Sequence, residues 1–172
     1  EIASLHPTVI FDSAHNQDSF IKLSETLDEY FPGRKVILIL GASEDKSLAE
    51  MLTEIKPRLR LLLATKADHP RALEPGNVVE VANRIQVRAE EAAPVSAALD
   101  RALELAGGSD DIILSAGSMF VTAEVKKNLS FHSANTLTPA DGQQFAAKVR
   151  LHLGNDNSLS KEAEQDARAQ GS

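Results

Sequence analysis

The sequence predicts an α/β fold, a doubly wound, mostly parallel sheet of about six strands with one antiparallel at the edge and helices on both faces. Three observations lead there. Short apolar runs lack the alternation of a one-sided sheet, as strands covered on both faces do. Between the runs the apolar period lengthens to that of a helix. Proline and glycine then punctuate the joins.

The opening IASL (Ile2–Leu5) meets the run VIF (Val9–Phe11) through His6-Pro7, close enough for a hairpin and so for an added antiparallel strand. Phe20, Leu23, Leu27 and Tyr30 then mark one helical stripe, ended by Pro32-Gly33. VILIL (Val36–Leu40) is the second core run. Leu48, Met51, Leu52 and Ile55 form the next stripe, ended by Pro57, and LLLA (Leu61–Ala64) follows as a strand. Ile85–Val87 is a weaker strand candidate. Val95, Ala98, Leu99, Ala102, Leu103 and Ala106 make a third stripe, closed by Gly107-Gly108 as a helix end requires, and IIL (Ile112–Leu114) is the last run. This β-α-β-α rhythm calls for right-handed crossovers.

From about Ser130 the composition turns polar, so a domain of residues 1–129 and an extension of residues 130–172 are expected. In the extension, Thr138 stands where it would cap a helix carrying Phe145, Val149 and Leu153 on one face. The closing SLSKEAEQDARAQGS has too few apolar residues to offset its ordering entropy and reads as a mobile tail.

A formal net charge of -7 over 172 residues provides no general basic face, which argues against nucleic acid and anionic membranes as partners. The absence of cysteine excludes disulfides and thiolate chemistry. No apolar run spans a bilayer and no signal peptide opens the chain, so a cytoplasmic protein is expected. Glu1 in place of a starting Met points to a fragment of something longer. The sequence has neither a glycine-rich phosphate loop ending in Lys-Ser or Lys-Thr nor a three-glycine dinucleotide fingerprint. If a nucleotide is handled here, these residues form half of its site. The histidines lack metal-ligand spacing, and no metal site is expected.

In an open α/β sheet, ligands gather beyond the carboxyl ends of the strands, where helix N-termini aim free N–H groups. Four loops lie there: DSAHN after the first core strand, GASEDK (Gly41–Lys46) after the second, TKADHPR (Thr65–Arg71) after the third and SAGS (Ser115–Ser118) after the last. Each has a plain structural reading as well. Asp12 and Asn16 are preferred helix caps, His15 suits an exposed turn, Gly41 and Gly117 serve backbone geometry, and Asp45-Lys46 suits a solvated ion pair. Their convergence on one edge is the stronger sign.

Taken together, FDSAHN, GASEDKSL, ADHPRA and SAGSMFVTAEV resemble the C-terminal domain of the folylpolyglutamate synthase and dihydrofolate synthase family, within the Mur ligase superfamily. The first is similar to that family's D-G-A-H-N-P motif, the last to its T-G-S-L-aromatic segment leading into a helix. The resemblance runs over about residues 1–129 in the family's order. It implies a Rossmann-like domain that closes over an N-terminal ATPase domain absent from this chain, with ATP and Mg as cofactors and most magnesium ligands on the absent part. L-glutamate and a folate or dihydropteroate are the implied substrates, joined after a folate carboxylate is activated as an acyl phosphate.

By the same resemblance, Asp12, His15 and Asn16 contact the nucleotide, with Asp12 on the ribose and His15 facing the phosphates as the catalytic candidate. Ser118, Gly117 and Lys46 fall on the glutamate side. The pattern departs from the family's at Ser13 for Gly, Gln17 for Pro and Ala116 for Thr. The cell-wall peptide ligases share this domain but usually carry a bulky aromatic where Ser13-Ala14 stands, so they form the alternative. A noncatalytic α/β regulatory or interaction module is a second one, although a receiver-type acidic cluster is poorly matched by Asp12 with Lys46.

Overall fold

Every residue of Val36–Leu40 is buried, which requires strand neighbours on both sides and helices on both faces. A computed structural model, describing residues 1–43 and 47–134, supplies both. Its strands are β1 (Ile2–Leu5), β2 (Thr8–Phe11), β3 (Val36–Leu40), β4 (Leu59–Ala64), β5 (Ala89–Glu91) and β6 (Ile112–Ala116). Between them run α1 (Gln17–Tyr30), α2 (Leu48–Ile55), α3 (Pro75–Arg84) and α4 (Val95–Ala106), and α5 (Met119–Ala134) follows β6. The six strands form one sheet in the order β1-β2-β6-β3-β4-β5. β1 pairs antiparallel with β2, and every other pairing is parallel.

Side chains of each central strand alternate between two cores. Leu38, Leu40 and Leu114 pack with α1, α2 and α3, whereas Ile37, Ile39 and Ile113 pack with α4 and α5. The predicted doubly wound sheet with its antiparallel edge is therefore the observed one. Because the last strand enters between β2 and β3, chain order reverses beside β6, and the loops after β2, β3 and β6 meet at a switch point.

Two local expectations change, and one helix is added. Ile85–Val87 is not a strand: Ile85 closes α3, Gln86 takes a positive φ of 59°, and the edge strand forms later at Ala89–Glu91. Tyr30 leaves its stripe and is exposed, since it sits in the last turn of α1 beyond the covering core. Helix α3, in PGNVVEVANR, was not anticipated, because its valines lower helix propensity, while Pro75 at the first helical position is the start signal. The structure also carries α5 through the expected boundary at residue 129, and the compact unit comprises Glu1–His132. Asp45, Lys46, the Thr138 helix and the closing tail lie outside the described residues.

Candidate functional site

Asp12 extends the β2–β6 ladder by one bond, its N–H donating to Ser115 O at 2.9 Å. The chain must then turn into α1, and Asp12 Oδ1 holds the turn by accepting the Ala14 N–H at 2.8 Å. Its other oxygen, Oδ2, has no hydrogen-bond partner among the described residues, and the side chain is half-buried. Asn16 is the N-cap: its side chain accepts the Ser19 N–H at 2.9 Å. Ser19 Oγ answers by accepting the N–H groups of Asn16 at 3.1 Å and His15 at 3.0 Å. Asn16 therefore does serve as a cap, and its amide nitrogen is what remains for a ligand. His15 is exposed, with Nδ1 2.8 Å from Ser13 O. A carbonyl only accepts, so the proton is assigned to Nδ1, and Nε2 of the neutral ring is a bare acceptor.

The β6–α5 turn is built from backbone. Gly117 has φ +91°, and its N–H donates to Ala14 O at 2.7 Å, stitching this turn to the β2–α1 turn. A Cβ here would lie 2.8 Å from Leu40 Cδ1 and 3.0 Å from Gly41 O, so only glycine fits. Gly41 is equally confined, with Val121 Cγ2 2.6 Å and Thr65 O 3.0 Å from where its Cβ would be. Ser118, at the start of α5, accepts the Thr122 N–H at its carbonyl at 3.0 Å.

These contacts put Asp12, His15, Asn16, Gly117 and Ser118 on one edge, at adjoining strands. Neither of two concavities along this edge holds all five. Ser118 lines a small pocket with Ser43, Lys66, His69 and Phe120, to which Asp12, His15 and Asn16 do not contribute. An open groove of ≈ 340 Å³ continues from it past Asp68, Glu74 and Glu124. The expected set thus divides into two groups on either side of the Gly117–Ala14 stitch. Sequence reasoning quoted TKADHPR without selecting Lys66 or His69, although their position just after β4 was the signal. Lys66 Nζ donates to both carboxylate oxygens of Glu74, at 2.7 and 2.9 Å.

Residues 1–119 match the family described as Mur ligase, glutamate ligase domain. The chain belongs to that family. Among relatives of this Mur ligase domain, a probable bifunctional folylpolyglutamate synthase/dihydropteroate synthase of Haloferax volcanii is 36% identical over 127 residues, which is 73% of this chain and 15% of the relative. A UDP-N-acetylmuramoyl-L-alanyl-D-glutamate–L-lysine ligase of Streptococcus pyogenes is 32% identical over 116 residues, 65% of this chain and 24% of that protein. The solved folylpolyglutamate synthase of Mycobacterium tuberculosis complexed with ADP superposes with TM-score 0.64 at 27% identity, over 75% of this chain and 31% of that one. The chain thus spans less than a third of the length of each of these three. No three His, Asp or Glu side chains gather as metal ligands among the described residues, and no described helix is long and apolar enough to cross a membrane.

Proposed function

We propose that this Mur ligase domain is the C-terminal, glutamate-binding part of an ATP-dependent folate:L-glutamate ligase, inactive alone and completed by an N-terminal ATPase domain. The observation that supports the reading is the 2.7 Å bond from Gly117 N–H to Ala14 O, which joins the β2–α1 turn, read as the nucleotide side, to the β6–α5 turn, read as the glutamate side, at the switch point. In the reaction, ATP phosphorylates a folate carboxylate, the amine of L-glutamate attacks the acyl phosphate carbon, and phosphate leaves as the amide forms. This chain positions the two ends of that exchange.

Asp12 Oδ2 accepts from a ribose hydroxyl of the nucleotide, while Asn16 Nδ2 offers a donor beside it. His15 meets phosphate charge through Nε2, which donates only when the ring carries both protons, because Nδ1–H is committed to Ser13 O. Ser118 Oγ, which accepts the Val121 N–H at 3.5 Å and keeps its hydroxyl proton to donate, binds a glutamate carboxylate together with the N–H groups at the opening of α5, with Gly117 setting the turn and Lys46, outside the described residues, adding charge. Magnesium, when bound, neutralises phosphate charge; the described residues do not form a ligand set for it, and no step here runs through them. The working compartment of such an enzyme is the cytoplasm.

The test is kinetics of the full-length ligase containing this chain. Asp12→Ala raises the KM for ATP, Ser118→Ala raises the KM for L-glutamate by about 5- to 100-fold for a lost donor to a bound anion, and His15→Ala lowers kcat most. An unchanged glutamate KM in Ser118→Ala overturns the assignment. The streptococcal relative favours a second reading, a cell-wall peptide ligase. Offering a muramyl peptide acceptor and a folate acceptor side by side decides between the two.

A further inference from the structure

The pocket that Ser118 lines is closed on one side by the loop Lys66–Ala72, and three of that loop's hydrogen bonds converge on one residue. His69 N–H donates to Ala67 O at 2.8 Å, His69 O accepts the Ala72 N–H at 3.0 Å, and His69 Nδ1 accepts the Arg71 N–H at 3.2 Å. Nδ1 is therefore bare and the neutral ring carries its proton on Nε2, the reverse of His15. The same ring stacks on Phe120, with centroids 4.7 Å apart and planes inclined by 25°. Phe120 lies two positions after Ser118 and is otherwise exposed. An exposed phenylalanine at the mouth of a small pocket is explained when its face is the surface on which the opposite wall rests.

We infer that His69 is the positioning residue of this pocket: its ring, stacked on Phe120, holds the Lys66–Ala72 loop against the turn that carries Ser118. The loop's far end is tied to the segment that follows β3, through Leu73 N–H to Ala42 O at 2.9 Å and a bridge between Ser43 and Ala72. Lys66 and Ser43, which line the pocket together with Ser118, are thereby held in its wall, Lys66 by its ion pair with Glu74 as well. Resting on the ligase reading above, the inference makes His69 a determinant of affinity for the incoming amino acid, with no part in the chemistry.

Two substitutions separate the ring from its nitrogen. His69→Asn keeps an acceptor for the Arg71 N–H, because the side-chain oxygen of Asn occupies the place of Nδ1, and loses the stack. His69→Phe does the reverse. In the full chain, amide hydrogen exchange at Ala72 and Leu73 accelerates about three- to tenfold in His69→Asn and in Phe120→Ala, the range an aromatic pair is worth, and stays near wild type in His69→Phe. The Ile39 amide, in the central strand, is unchanged in all three. In the full-length ligase the same two loosened variants raise the KM for L-glutamate about three- to tenfold with kcat and the KM for ATP unchanged, and His69→Phe restores it.

Equal exchange in His69→Asn and wild type, or a His69→Phe variant no better than His69→Asn, overturns the inference. The exchange arm needs no substrate. If the wild-type ligase adds no glutamate, the functional reading falls while the loop's dependence on the stack is still decided by exchange.

Discussion

The two edges of the sheet are finished by different means. At the amino edge, arginines spend donors on neighbours. Arg58, only 8% exposed, donates to Asp28 and to the carbonyls of Phe31 and Arg34 at 2.8 and 3.0 Å. Arg34 reaches Thr8 Oγ1 at 3.1 Å and Asp110 O, and Arg60 pairs with Asp111. At the carboxyl edge the loops meet through backbone, at Gly41, Gly117 and Ala14, and side chains such as Asp12 and Ser118 keep bonding capacity. Side chains committed to each other stabilise; a turn built by glycine leaves side chains for a ligand.

The hardest test of that contrast is Gly117→Ala. A left-handed residue acquires a Cβ against the fully buried Leu40 side chain, which must repack, and against the Gly41 carbonyl, which is backbone. Strain and overpacking together lower unfolding free energy by about 3–4 kcal/mol, read from urea midpoints at constant m. A loss under about 1 kcal/mol would mean that the carboxyl edge does not depend on this backbone contact.

Arg58→Ala probes the opposite edge. It removes hydrogen bonds to two carbonyls and an ion pair whose acidic partner stays mostly solvated, so the cost falls below that of a fully buried pair, at about 2–3 kcal/mol. In the full-length ligase proposed above, the KM values for ATP and glutamate remain those of the wild type. A change in either KM at unchanged fold would break the division of labour between the edges.

Much of this was legible in the sequence because strand burial writes itself as unalternating apolar runs, as in VILIL, and because strand ends name the loops that form a site. What was not legible depended on partners distant in sequence. Strand β5, Ala89–Glu91, has no apolar signature, and pairing with β4 alone makes it a strand. The His69–Phe120 stack and the separation of Ser118's pocket from Asp12 arise from how β4 and β6 flank β3, which no local pattern records. The residues expected at the edge were placed there by topology, whereas their grouping was a matter of packing.

Asn16 is the residue on which the contrast is least secure, for it sits at the ligand edge yet behaves as the arginines do, spending its Oδ1 on the Ser19 N–H. Asn16→Ala removes the cap and lowers stability by about 1 kcal/mol, visible as a fall in Tm. That alone does not separate a cap from a nucleotide contact. Asn16→Asp does, because a carboxylate caps a helix as well as an amide does but supplies no N–H. If Nδ2 touches the nucleotide, the Asp variant keeps its Tm while the KM for ATP in the proposed full-length ligase rises severalfold, since a donor to the nucleotide has been exchanged for a negative charge. If the cap is the whole role, Asn16→Asp is silent in both measurements, and Asn16 belongs with the residues whose bonding is already spent.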